Sequence, residues 1–327
     1  MRPLKLVPDD TNIPFLKYRN IAMALSVGLI VASIVLCIVR GFNLGIDFVG
    51  GQTVRVTLAQ PVPVEEIRIK VDAIDGLGGA TIQQFGSPTD IGIRTPLPAD
   101  ASDAAAEEAA RKVRVTIERA YPGAKVSGVE SVSGKVSEEL AWAGTKALIF
   151  AMLGIAAYIW FRFEWQFAVG ALFALFHDVA LTLGFFALTR LEFDLNIVAA
   201  ILTIIGYSLN DTIVVYDRIR ENLRKYRKMG IPELLDLSIN ETLSRTVVTS
   251  LSIGIVLTIL LVLGPDVIFG FTAAMLLGIV IGTFSSVYVS AAILLWLRLK
   301  PDSFVPKEVV AGDAIKGGER VDFKDMP

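Results

Sequence analysis

The chain has 327 residues, 53% of them apolar, with 31 Lys and Arg against 33 Asp and Glu. A mean hydropathy of +0.59, gathered into long runs, excludes an ordinary soluble domain and points to an α-helical polytopic membrane protein. The single cysteine, Cys37, lies in the first apolar run, so no intrachain disulfide can form and an oxidising exterior is tolerated.

At about 1.5 Å per residue, roughly twenty apolar residues cross a hydrocarbon core of about 30 Å, and six runs reach that length. A cytoplasmic leader, 1–19, precedes the first span, 20–40. That span is too long for a secretory signal and no small-x-small cleavage site follows it, so it is expected to stay as an anchor. Residues 41–138 form the one unit outside the membrane. It opens with GFNLGIDFVGG, where Gly50 and Gly51 suit a tight turn into a strand and Asp47 reads as a turn or capping carboxylate.

The pattern then predicts strand 53–58, helix 64–75, strand 80–85, strand 91–95, helix 101–121 and strand 125–132. This is the βαββαβ order of a ferredoxin-like α+β domain between spans 1 and 2. Pro61 and Pro63 before the first helix, and Pro98 with Asp100 before the second, act as start signals. The segment 53–134 holds no His, no Cys and no Gly-rich phosphate loop, which speaks for a contact or lever module rather than an enzyme. Span 2, 139–161, follows almost without a linker, and a short stiff joint transmits movement.

Span 3, 167–189, carries His177 beside Asp178, with Thr182 one turn on. Two ionisable neighbours at mid-span are candidates for a proton relay, for interhelical hydrogen bonding, or, for His177, for a packed ring. One His with adjacent acids does not make a metal site. Span 4, 195–216, holds the strongest candidate, Asp211. A carboxylate at lipid depth costs about 2.5 to 3.5 kcal/mol, so it is expected to face protein or water. Helical spacing puts Asn196, Thr203, Tyr207, Asn210 and Asp211 on one side as a wet stripe.

Residues 217–246 form a basic loop ending in an amphipathic helix, where Leu235, Ile239 and Leu243 recur at helical spacing on the membrane surface. Span 5, 247–264, is preceded by Arg245, which with Thr249 and Ser252 makes a polar edge. An Asp211 to Arg245 ion pair is geometrically allowed, and a guanidinium nearby favours the carboxylate while lipid favours its protonated form. Snorkelling of Arg245 to headgroups is the other reading. Span 6, 269–297, is long enough to tilt or break, and its Gly278 and Gly282 permit close helix approach. A polar tail, 298–327, follows. Lys and Arg gather in the leader, at Arg162, after Tyr216 and after span 6, which places both termini in the cytoplasm and accounts for the basic cluster without nucleic acid.

The stretches FNLGIDFVGG, IGYSLNDTIVVYDRIREN, SRTVVTSLS and GIVIGTFSSVYVSA together resemble the SecF branch of the SecD/SecF family, in the RND superfamily, from the leader to span 6. Tyr216 stands where that family more often has Phe. The resemblance implies a proton-driven accessory subunit of the Sec translocase in the bacterial inner membrane. It works with SecD, docks on the SecYEG channel and handles preprotein, with protons as coupling ion and no bound cofactor. It also implies that Asp211 and Arg245 are the pair linked to proton movement. Apart from the resemblance, His177, Asp178, Tyr207, Asn210 and Thr249 are candidates for a secondary polar relay. Two other classes are half of an RND-type small-molecule or lipid exporter, and a passive channel scaffold.

Overall fold

The computed structural model describes residues 7–8, 11–74, 77, 80–84, 87–96 and 103–299. Pro98, Asp100, the start of the leader and the tail from 300 lie outside them. Six helices among the described residues are long and apolar enough to cross a membrane. They are α1 (Arg19–Arg40, led by a 3-10 turn, Phe15–Tyr18), α5 (Gly134–Arg162), α6 (Trp165–Thr189), α7 (Leu195–Lys225), α8 (Ile231–Leu263) and a last rod. The rod consists of α9 (Phe269–Phe284), a π-helical stretch (Ser285–Val289) and α10 (Ser290–Trp296).

Between α1 and α5 come β1 (Asn43–Leu44), α2 (Ile46–Val49), β2 (Gly51–Thr57), α3 (Val64–Asp72), β3 (Thr81–Gln84), β4 (Asp90–Thr95), α4 (Asp103–Ala120) and β5 (Lys125–Val132). The last six are ordered βαββαβ, and their sheet runs β3-β4-β2-β5 with every neighbour antiparallel. Alternation along β2 and β4 turns Val54, Val56, Ile91 and Ile93 onto Ile67, Val71, Val113 and Ile117 of the two helices. Each such side chain contributes about 1.5 to 3 kcal/mol when fully buried. Gly50 and Gly51, at φ 71° and 125°, take the backbone from α2 into β2. Only Ser133, which caps α5 by accepting from the Val136 amide, separates β5 from α5.

In the bundle, α6, α7 and the last rod are central, with α1 against α6, α8 against α7 and α9, and α5 outermost. Exposed apolar side chains such as Ile38, Phe161 and Leu263 form the surface expected to meet lipid. A close seam joins α7 to the parallel last rod. Gly278 faces Ile204, Gly282 faces Ser208, and Ser286 bonds Thr212 (2.9 Å), a register that repeats every fourth residue. The sequence expectation of close approach at these glycines is met, and small residues continue it one step further. Farther along α7, Tyr216 is fully buried against Phe163 and Phe167, and its hydroxyl occupies the space that a side chain at Gly170 would need.

Two expectations need correction. Residues 217–225 are not a loop, because nothing between Tyr216 and Lys225 breaks α7, so the basic cluster continues the span. The amphipathic stretch does not lie on the membrane surface. It is the first half of α8, and its Leu234, Leu235 and Ile239 are buried in the bundle core. The end of the leader packs on the same core: Phe15 and Leu16 are buried, and Asn240 exchanges two 2.9 Å hydrogen bonds with the Ile13 backbone.

A Cβ at Gly278 would fall on the Ile204 side chain, whereas one at Gly254 meets open space. Gly278→Ala is therefore expected to lower the unfolding midpoint in detergent, by overpacking worth about 1 to 3 kcal/mol. Gly254→Ala should not.

Candidate functional site

Two buried carboxylates stand in the bundle and their surroundings differ. Asp178, midway along α6, is fully buried and its carboxylate accepts three hydrogen bonds: from His177 Nδ1 (2.9 Å), Ser208 Oγ of α7 (2.5 Å) and Ser285 Oγ of the last rod (2.9 Å). With Nδ1 carrying the proton, His177 Nε2 keeps a lone pair that has no partner among the described residues, and the ring stacks on Phe284. The π-helical turn explains how adjacent serines reach two helices: Ser285 turns to Asp178 on α6, while Ser286 turns to Thr212 and to the Ser208 carbonyl (3.3 Å) on α7.

Asp211 is 1% exposed, and its Oδ2 has no hydrogen-bond partner among the described residues. It lies on α7 one turn after Tyr207, whose hydroxyl meets Ser250 of α8 at 2.8 Å, with Ser250 in turn 2.8 Å from Thr283. Because α7 and α8 run antiparallel, four residues beyond Tyr207 faces four residues before Ser250. Buried Thr246 is therefore level with Asp211, and Arg245 stands beside that level. Arg245 is exposed and makes no ion pair among the described residues, so the pair allowed by sequence is not closed in this structure.

The wet stripe also divides. Asn196, Thr203 and Asn210 are exposed on the outer face of α7, Tyr207 is half-buried, and Asp211 faces inward. The helix turns by about 100° per residue, so neighbours such as Asn210 and Asp211 part where the packed face ends. Thr249 is half-buried and returns its hydroxyl to the Arg245 carbonyl (3.0 Å). Sequence reasoning missed Ser208, Thr212, Ser285 and Ser286. Their signal was the four-residue recurrence of small residues from Gly278 through Ser286, opposite Ser208 and Thr212.

At the domain end of the bundle a clasp joins the parts. Strand β1 pairs in parallel with β6 (Glu192–Phe193), and Gly45 donates to the Phe193 carbonyl at 2.8 Å. Arg190, at φ 61°, donates to the Arg40 and Gly41 carbonyls. Asp194 caps α7 through the Ile197 amide (3.1 Å), and Asp47 accepts from the Leu195 amide (3.0 Å), so the capping role expected of Asp47 is served to α7. Arg94 of the sheet donates to the Leu44 carbonyl and lies 3.9 Å from Glu192. Burial pushes the Glu192 carboxyl above its ordinary value of 4.5, against the pull of Arg94, and burial raises Asp194 despite its donors.

The model for the C-terminal region of protein export membrane protein SecD/SecF matches residues 112–300, and the SecD/SecF GG motif matches 35–62. A protein translocase subunit SecF of Desulfurispirillum indicum is 45% identical over 309 residues, 91% of this chain and 98% of that one. The chain belongs to the SecD/SecF family. SecF of Rhodobacter capsulatus is 42% identical over 307 residues, 90% of this chain and 92% of its own length. A crystal structure of SecDF, a translocon-associated membrane protein from Thermus thermophilus, superposes with a TM-score of 0.81 at 35% identity over 90% of this chain. This chain spans 40% of that longer one. The clasp segment of the family's GG motif thus lies where the domain meets α7.

Asp178→Ala removes the acceptor of the Ser208 hydroxyl and leaves the Ser285 hydroxyl only the Gly282 carbonyl (3.1 Å). It is expected to cost at least about 2 kcal/mol in unfolding free energy, measured by thermal melting, with Asp178→Asn milder. At the clasp, the folded state holds the Glu192 proton where an unfolded chain has released it. Its contribution is thus present below about 4.5 and lost as pH rises through the raised value. Deuterium exchange at the Gly45 amide, corrected for intrinsic rate, should quicken as pH rises above that value, and Glu192→Gln should flatten the dependence.

Proposed function

We propose that this chain is a proton-motive-force-coupled accessory subunit of the Sec protein translocase. In this reading it acts with SecD at the SecYEG channel to draw preproteins across the bacterial inner membrane, both termini being cytoplasmic. The observation that carries the reading is Asp211: nearly inaccessible, with Oδ2 unpartnered, and level with an arginine on the next helix that is not yet engaged. An unpaired carboxylate at lipid depth favours its protonated form, and an approaching guanidinium favours the ionised one. Proton arrival and loss therefore bias how closely α7 and α8 stand at Thr246.

The movement has a route outward. Asp47 caps α7 from the segment that enters β2, and β5 runs into α5 through one residue, so a shift of α7 reaches the βαββαβ domain from two sides. We read that domain as a ferredoxin-like module on the exported side that bears on preprotein. The small and polar face of α7, Asn196, Thr203, Gly206 and Asn210, is exposed along the membrane-spanning part of the helix. A second six-span unit, that of SecD, fits there better than lipid does, because side chains that are small or hydrogen-bonding favour helix contacts in a bilayer.

The test is preprotein export into membrane vesicles containing the partner subunits, with and without a proton-motive force. Asp211→Asn and Arg245→Ala are each expected to reduce the force-dependent part at least tenfold while leaving complex assembly intact. Undiminished force-dependent export in both variants, with export lost on deletion of the chain, would favour a passive scaffold instead.

A further inference from the structure

At the end of the bundle away from the domain, two cavities lie side by side along the last turn of α5. A groove of about 660 Å³ runs between α5 and α6, floored by Ala157 and Ala168 and walled by Trp160, Phe161 and Trp165. Phe161 is 91% exposed, so this wall is held open rather than packed. Beside the groove, a cleft of about 500 Å³ between the end of α5 and α7 is lined by Arg162, Arg220, Arg224 and Lys225, with Asp217 and Glu221. Phe161 belongs to the groove and Arg162, the next residue, to the cleft, so the apolar and charged spaces are neighbours at the end of α5.

The cleft keeps a positive surplus. Asp217 is engaged by Arg162 (3.2 Å) and Glu221 by Arg218 (2.6 Å), whereas Arg224 and Lys225 are exposed and make no ion pair among the described residues. Trp160 and Trp165 stand at the level where the apolar surface gives way to charge, the preferred depth of indole rings at a membrane boundary. We propose that the groove and cleft together bind one anionic phospholipid, with acyl chain along Ala157 and Ala168 and phosphate against Arg224 and Lys225. A free phosphate would leave the groove without a purpose, and a neutral lipid would leave the charge surplus unanswered. Basic pockets between spanning helices on the cytoplasmic side are suited to such headgroups. The site is separate from Asp211.

The experiment is native mass spectrometry of the full chain purified with its membrane partners. Phosphatidylglycerol, phosphatidylethanolamine or inorganic phosphate is added in turn. One phosphatidylglycerol per chain is expected to be retained, at least tenfold in preference to phosphatidylethanolamine and undisplaced by phosphate. Arg224→Gln with Lys225→Gln should abolish the preference. Ala157→Trp, which fills the groove, should reduce retention, while Val256→Trp on the exposed face of α8 should not. Melting temperatures identify any variant that is merely misfolded, and for such a variant Ala157→Leu is substituted. Equal retention of both lipids would overturn the proposal, as would displacement by phosphate, or exclusion of lipid because a partner protein covers the groove.

Discussion

Within hydrocarbon no water solvates a carboxylate, so each acid in the bundle must find its hydrogen bonds on neighbouring helices or stand in need of a proton. Asp178 takes the first course. Its three donors come from α6, α7 and the last rod, so one side chain ties together the three central helices. A carboxylate so well supplied with donors fixes a single arrangement of helices that apolar contacts alone would hold less specifically. The α7 seam, with glycines and serines at four-residue intervals, lets the backbones come close enough for those bonds to form.

Asp211 takes the other course, and the contrast rests on position more than on residue type. Both acids lie near the seam, yet the hydroxyls beside Asp211 are already committed: Thr212 to Ser286, Tyr207 to Ser250, and Thr249 to its own helix. One oxygen is left without a donor. A group in that condition costs free energy in its charged form, and the cost is relieved by protonation or by a cation brought near. Arg245 is the cation at hand, and the exposed position it holds lets it approach without breaking an existing ion pair. The firm centre at Asp178 gives α7 something to move against.

Much of the fold was legible from the chain alone, because the six spans and the βαββαβ order are carried by local periodicity. The strand 125–132 is bounded as its pattern implies, and the short joint before α5 follows from the absence of residues to make a longer one. What local pattern could not settle was which side of each helix would be covered. Asn210 and Asp211 are adjacent in sequence and equally polar, yet one is exposed and the other buried, since that depends on where α8 and the last rod pack. Likewise Leu235 and Ile239 make an amphipathic face whether they meet lipid or a bundle core, and only tertiary packing distinguishes the two. The Asp178 centre was half legible: the acid was evident, its hydroxyl donors on two other helices were not.

The clasp explains why a small rearrangement at Asp211 need not remain local. Helix α7 is one rod from Leu195 to Lys225, capped at its start by Asp194 and Asp47 and bound beyond its middle by the hydroxyl ladder. A rigid helix carries displacement along its length with little loss, because bending it would break backbone hydrogen bonds in a medium that offers no replacements. At the far end Asp47 hands that displacement to Gly50 and β2. Arg94 and the β1–β6 pair hold the domain to the bundle there. Burial of Glu192 and Asp194 raises both carboxyls and makes the same joint sensitive to protons on the domain side.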